Sequence, residues 1–225
     1  MSVDAGAPDA RAPELSAPDV IAQAAAATRA GELIVFPTDT VYGVGTRPDD
    51  PAATARLFEA KRRPRDLELP VLAASVNEVR ALARFDDDAE RLAAACWPGG
   101  LTLVLGRTPA SAAWDLGGDP LTVGVRIPHH PLAQVLLAAA GPLAVTSANR
   151  SGVPPAFTCE ELEATFGDAV RFYLCQDAPP AGTPSTVLDL AHGPARLLRR
   201  GAVAPEVIAR LLSAHRPLLD SPLSP

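Results

Sequence analysis

Short aliphatic runs separated by helix-length segments constrain this chain more than any other feature. Leu33-Ile34-Val35-Phe36, Leu101 to Leu105 and Leu143 to Thr146 are strand-length and largely apolar, the pattern of strands buried inside a sheet. Between such runs, Asp19 to Ala30 carries a helical pattern with Gly31 as its C-cap, Asp50-Pro51 opens a helix through Ala60, and Pro131 to Ala140 is a helix ended by Gly141. Further strands are expected at Leu69 to Ala73, Thr122 to Ile127, Val170 to Leu174, Thr186 to Leu190 and Ala195 to Leu198. Helices are expected at Glu78 to Cys96, as one or two around Phe85-Asp86, at Glu160 to Phe166 and at Pro205 to Leu212. No helix separates the Leu101 strand from the Thr122 strand, nor the Thr186 strand from the Ala195 strand. The fold class is therefore α/β with a mixed sheet and helices packed on it, rather than a purely parallel sheet.

Residues 1–17 are rich in Ala, Pro and Asp, and residues 216–225 hold three prolines without periodicity, so both are expected as disordered tails around one domain over residues 18–215. A formal charge of −6 argues against a chain that coats nucleic acid nonspecifically, although a local basic pocket remains compatible with it. Cys96, Cys159 and Cys175 are odd in number and widely spaced, with no Cys-x-x-Cys, which indicates neither a disulfide framework nor a zinc site and fits a reducing cytoplasm. No apolar stretch is long and clean enough for a membrane helix, and the N-terminus is acidic where a secretory signal is basic.

Lys61 is the only lysine among twenty Lys and Arg residues. A compact ammonium with rotatable donors suits a phosphate or carboxylate where a planar guanidinium does not. Lys61-Arg62-Arg63-Pro64 also closes a helix, so the same residues read equally as a solvated end complementing the dipole. Two loops pose a similar choice. Phe36-Pro37-Thr38-Asp39-Thr40-Val41-Tyr42-Gly43 follows a buried strand and carries hydroxyls and a carboxylate, either for a ligand or for a polar turn bonding its own backbone. Ser147 and Asn149, two apart after the Leu143 strand, point the same way if extended and can donate to one anion, or else belong to a helix-capping turn. Thr122, Gly124 and Arg126 share a strand face, where an arginine fork can hold a carboxylate bidentately. The chain lacks a P-loop, a Gly-x-Gly-x-x-Gly turn and a Gly-x-Ser-x-Gly elbow, and His129, His130, His192 and His215 have no metal spacing, so no metal ligands are assigned.

Phe36-Pro37-Thr38-Asp39-Thr40-Val41-Tyr42-Gly43-Val44-Gly45, Lys61-x-Arg63-Pro64, Trp97-Pro98-Gly99-Gly100-Leu101-Thr102, Arg126-Ile127-Pro128-x-His130-Pro131, Thr146-Ser147-Ala148-Asn149-x-Ser151-Gly152 and Pro184-Ser185-Thr186-Val187 together resemble the YrdC/TsaC family of L-threonylcarbamoyladenylate synthases, in the family's order. The likeness spans about Gly31 to Val203 and is to the short, single-domain form. It implies a twisted, YrdC-like α/β sheet with a concave basic cleft. The reaction it implies joins L-threonine, bicarbonate and ATP into threonylcarbamoyl-adenylate and pyrophosphate, for threonylcarbamoyladenosine next to the tRNA anticodon. By this resemblance Lys61, Arg63, Ser147 and Asn149 form the catalytic tetrad around the phosphates, Thr38, Arg126, Thr146 and Ser185 lie near threonine, and Thr122 and Arg199 lie near ATP with Lys61, Arg63 and Ser147. Mg²⁺ is expected to be held mainly through ATP, and downstream tRNA threonylcarbamoyl-transfer proteins to receive the product. Leu67, Leu72 and Pro155 depart from the family pattern. The competing expectations are a carbamoyltransferase working through a carbamoyl-adenylate and a non-catalytic RNA-binding module; the enzyme reading itself leaves room for weak RNA binding.

Overall fold

The computed structural model describes residues 17–220 apart from Asp177 and Pro179. In chain order they form α1 (Ala17–Arg29), β1 (Leu33–Phe36), β2 (Gly43–Thr46), α2 (Pro51–Lys61), β3 (Val71–Leu72), α3 (Val76–Leu82), α4 (Asp87–Cys96), β4 (Leu101–Gly106), β5 (Thr122–Arg126), α5 (Pro131–Ala140), β6 (Leu143–Ser147), α6 (Cys159–Phe166), β7 (Val170–Tyr173), β8 (Thr186–Asp189), β9 (Ala195–Arg199), α7 (Pro205–Leu211) and β10 (Leu218–Asp220). Local chemistry sets several of these ends. Asp50 accepts from Ala52 N ahead of Pro51 at α2, and Ser75 with Glu78 and Thr158 with Glu161 make reciprocal capping boxes at α3 and α6.

The ten strands share one sheet in the order β10-β9-β8-β4-β5-β3-β6-β2-β1-β7. β4 runs antiparallel to β5 and β8 to β9, whereas β3/β5, β4/β8 and β1/β7 are parallel, so the sheet is mixed. Side chains alternate across it with period two. Ile34, Phe36, Leu72, Leu143 and Val145 pack with Ala24, Ala25, Ala133, Leu136 and Leu137 of α1 and α5. Leu33, Val35, Val71, Leu103, Val123 and Val125 go to the opposite face, with Leu57, Phe58, Leu92 and Ile208 of α2, α4 and α7. Helices α1 and α5 cover their face around β1, β2, β3, β6 and β7. Over β5, β4 and β8 the same face carries Thr122, Gly124, Arg126, Thr102, Val104 and Val187, which line a cavity of about 500 Å³.

Three expectations change. Gly43–Thr46, of which only Gly43 is assigned, as the end of a loop, is a strand between β1 and β6; two glycines hide its strand propensity, and pairing on both edges supplies what propensity does not. Within the segment expected as a C-terminal tail, Leu218–Asp220 pair parallel with β9, and Arg216 donates to Gly193 O at 3.2 Å; three residues beside prolines are too few to show a period. Residues 1–16 and 221–225 of the expected tails lie outside the described residues. The cysteine reading is also corrected: Cys159 and Cys175 form a disulfide, with Cα atoms 5.8 Å apart. Helix α6 runs out from Cys159 and β7 runs back to Cys175, so a separation of 16 residues closes in space. Cys96 is free, and the argument from cysteines to a reducing compartment falls away.

Candidate active site

Lys61 ends α2 because Arg62 turns left-handed, with φ 51°, and directs the chain away before Pro64. The lysine is 1% exposed, so it is not a solvated helix end. Its Nζ donates to Ser147 O at 2.5 Å and to Asn149 Oδ1 at 3.0 Å, and Ser147 Oγ donates to the same Asn149 oxygen at 2.6 Å. Asn149 Nδ2 donates to Val153 O in a turn that no helix follows, the next helix being α6 capped by Thr158, so the loop is not a helix cap: the amide pins the turn while its oxygen collects the ammonium and the hydroxyl. Burial first, and the charge of Arg63 second, push the Lys61 ammonium down to about 7. Arg63 donates to Leu67 O at 3.1 Å and Glu68 O at 2.9 Å, folding the segment after α2 back along the cavity.

Arg126 is 5% exposed and not free. Its Nε donates to Gly99 O at 2.9 Å, Nη1 to Thr40 Oγ1 at 2.9 Å and Nη2 to Asp39 Oδ1 at 2.6 Å. Three of five N–H groups are engaged, which leaves two for a ligand. Burial lowers the Arg126 pKa and Asp39 opposes that shift. Asp39 is held in turn by His129 N at 3.0 Å. Thr38 Oγ1 donates to Val41 O at 2.6 Å and accepts from Thr40 N at 3.2 Å, the backbone-bonding turn that was one of the two readings of this loop, yet Thr38 and Thr40 both line the cavity.

Ser185, on the far side, shares a hydrogen bond with Thr102 at 2.9 Å and accepts from Arg199 Nη2 at 2.9 Å, while Arg199 Nε donates to Ser185 O at 3.0 Å. Gly201 permits this pairing, because a Cβ there would meet Ser185 C and Thr186 N at 2.5 Å. Burial lowers the Arg199 pKa, with Arg126 and Arg63 adding repulsion.

Of the ten residues singled out in the sequence, Thr38, Arg63, Thr122, Arg126, Thr146, Ser147, Asn149, Ser185 and Arg199 line this one cavity, and Lys61 stands behind Ser147 and Asn149. Leu67, Leu72 and Pro155, the departures from the family pattern, line it as well. The lining is not uniformly basic: Asp66, Glu68 and Asp119 belong to it. Sequence reasoning passed over Glu68 and assigned Asp39 no role. Asp39 sat inside a loop already noted for its polar groups; Glu68 had no local signal, because the Arg63 clamp and β5 give it its place.

A family model described as telomere recombination, Sua5_yciO_yrdC, matches residues 26–201. A Mycobacterium tuberculosis protein bearing a provisional threonylcarbamoyl-AMP synthase name is 43% identical over 193 residues, 85% of this chain and 88% of that protein. The threonylcarbamoyl-AMP synthase of Klebsiella pneumoniae is 36% identical over 187 residues, 80% of this chain and 95% of its own length. The crystal structure of Pyrococcus abyssi Sua5 complexed with L-threonine superposes with a TM-score of 0.78 at 35% identity, over 88% of this chain and 58% of that one.

Proposed function

Because this chain belongs to the Sua5/YciO/YrdC family, we propose that it is a threonylcarbamoyl-AMP synthase, condensing L-threonine, bicarbonate and ATP into L-threonylcarbamoyladenylate and pyrophosphate. The observation that carries this reading is the convergence of Lys61, Arg63, Ser147 and Asn149 with Arg126, Ser185 and Arg199 around a single cavity. The threonine complex of the Pyrococcus relative supports the amino acid as substrate.

The residues divide the work by charge. Arg126, held by Asp39 and Thr40, offers its two remaining N–H groups to the threonine carboxylate, with Thr38, Thr146 and Ser185 nearby. The threonine amine takes up bicarbonate to give a carbamate and water. A carbamate oxygen then attacks the α-phosphorus of ATP, the bond to the β-phosphate oxygen breaks, and pyrophosphate leaves with that electron pair. Such a transfer requires positioning and charge stabilisation rather than a protein nucleophile. Lys61, Arg63, Ser147 and Asn149 supply both at the phosphates, Thr122 and Arg199 line the ATP side, and burial keeps the cations poorly solvated until an anion arrives. Mg²⁺ would enter on the ATP phosphates and water, since no group of three His, Cys, Asp or Glu side chains suited to a metal gathers among the described residues.

The product would pass to tRNA threonylcarbamoyl-transfer proteins, and the cytoplasm, where ATP is supplied, is the compartment that suits this reaction. No helix among the described residues is long and apolar enough to cross a membrane. Net charge of −6 and acids in the cavity wall speak against a non-catalytic RNA-binding module. The test is to incubate the protein with ATP, bicarbonate and L-threonine, omitting each in turn, and to measure pyrophosphate and the adenylate by mass. Release is expected only with all three present. Equal activity with carbamoyl phosphate replacing bicarbonate and threonine would move the assignment to the carbamoyltransferase.

A further inference from the structure

The cavity is electrostatically divided. Arg63, Arg126 and Arg199 lie close enough for the first two to depress the third, and they face the Ser147–Asn149 loop. Acidic groups occupy a separate part of the wall, where the segment after Arg63 brings Glu68 against the start of β5. Glu68 Oε1 accepts from Gly124 N at 3.2 Å, and the Thr122 hydroxyl and Arg107 also bear on the carboxyl. The loop before β5 closes over it: Gly118 N donates to Arg65 O at 2.8 Å, and Gly118 has φ +59° and no side chain, where a Cβ would stand 2.8 Å from Glu68 Cβ. Glu68 is therefore built into the wall rather than hanging into it.

Position decides which part of a substrate it meets. Thr122 and Arg126 share one strand face four residues apart, about 13 Å at the rise of an extended chain. Glu68 meets Gly124 and Thr122, two and four residues before Arg126, so it stands about 7 to 13 Å along the strand from the arginine read as the threonine anchor. It is close to Arg63, whose guanidinium donates to the Glu68 carbonyl. Phosphates held at Arg63 would leave the sugar of the same nucleotide within reach of Glu68. A carboxylate at that point repels phosphate and accepts hydroxyl donors, and two vicinal hydroxyls match its two oxygens.

We propose that Glu68 determines nucleotide specificity, its carboxylate accepting from the 2′- and 3′-hydroxyls of the ATP ribose so that ribonucleoside triphosphates are preferred over deoxyribonucleoside triphosphates. This rests on reading the cavity as an ATP site. Burial pushes the empty-site carboxyl up to about 7 against the opposing pull of Arg107, Gly124 N–H and the Thr122 hydroxyl, so its charged form is short of donors that a diol supplies. The alternative is structural. β3 begins only at Val71, paired with Val125, and the Glu68 carboxylate caps the Gly124 N–H where that ladder has stopped.

Glu68→Gln separates the two roles, because an amide oxygen still caps Gly124 while the charge is gone. Titrate wild type and Glu68→Gln with ATP, 2′-deoxy-ATP and purine riboside triphosphate by calorimetry, and record the thermal midpoint of both. Wild type is expected to bind ATP at least about tenfold more tightly than 2′-deoxy-ATP, in line with a hydrogen bond to a charged group. The variant should bring that ratio below about threefold with its midpoint unchanged. An unchanged ratio in the variant, or no ribose preference in wild type, overturns the assignment. So does a variant that loses only its preference for ATP over the 6-deamino analogue, which would put the carboxylate at the base. Product formation by wild type is assayed separately: binding without synthesis sinks the enzyme reading, and synthesis with an unaltered ribose ratio sinks only Glu68.

Discussion

Binding of ATP should draw a proton from solution, and Lys61 is where it should land. With the residue 1% exposed, the ammonium has lost its water and faces only uncharged acceptors, the Ser147 carbonyl and the Asn149 amide oxygen. Burial and Arg63 hold its pKa at about 7, against 10.5 for a free lysine. A triphosphate brings the missing negative charge and returns the pKa toward the ordinary range near 10.4. At pH 8, above that value, most of the protein carries a neutral Lys61, so the larger part of a proton is taken up per ATP bound, and the uptake falls away as the pH drops through 7. Glu68 also titrates near 7 and responds to the same phosphate charge, so the measurement belongs in the Glu68→Gln background. Calorimetry in two buffers of different ionisation enthalpy gives the proton count directly. Adding Lys61→Arg, whose charge is permanent, should remove the uptake at pH 8. An uptake below about 0.2 proton at pH 8 before that change, or one that survives it, would refute a buried, largely neutral lysine waiting for phosphate.

Lys61→Ala should lower kcat by about 10² or more, roughly 2.7 kcal/mol of transition-state stabilisation, and Lys61→Arg should not restore it because the pocket between Ser147 O and Asn149 is cut to an ammonium; steady-state turnover checks both. Arg126→Lys keeps charge but loses the fork tied to Gly99, Thr40 and Asp39, so threonine KM should rise while ATP affinity changes little. An unchanged threonine KM would make Arg126 structural. Replacing Cys159 and Cys175 together by serine opens a bridge between residues 16 apart, which should cost about 3 kcal/mol and lower the thermal midpoint by roughly 6–12 °C. A midpoint matching that of the oxidised wild type would show that the bridge contributes nothing to stability.

Most of the fold was legible because its signals are local. Leu33–Phe36, Leu101–Gly106 and Pro131–Ala140 announce themselves by apolar runs and by Pro and Gly at their ends, and each lies where expected, give or take a residue. Gly43–Thr46 and Leu218–Asp220 carry no such mark, and only their sheet partners make them strands. The motif residues, too, could be named from their order along the chain. What each of them does was harder to read. Thr38 bonds its own turn, Arg126 is already paired with Asp39, and Asn149 serves the local turn and the lysine at once.

Periodicity and caps in the sequence determined most of the element order and the mixed sheet, being properties of neighbours in the chain, and the resemblance to a known family named the residues that gather at one cavity. Only the tertiary structure decided that Lys61 is buried rather than solvated, that Cys159 meets Cys175 and that Glu68 faces the start of β5. Lys61 and Asn149 are 88 residues apart, and Glu68 and Gly124 are 56 apart. Desolvation and charge pairing act through space, so a group's pKa and its partner are set by segments that the local sequence around it does not contain.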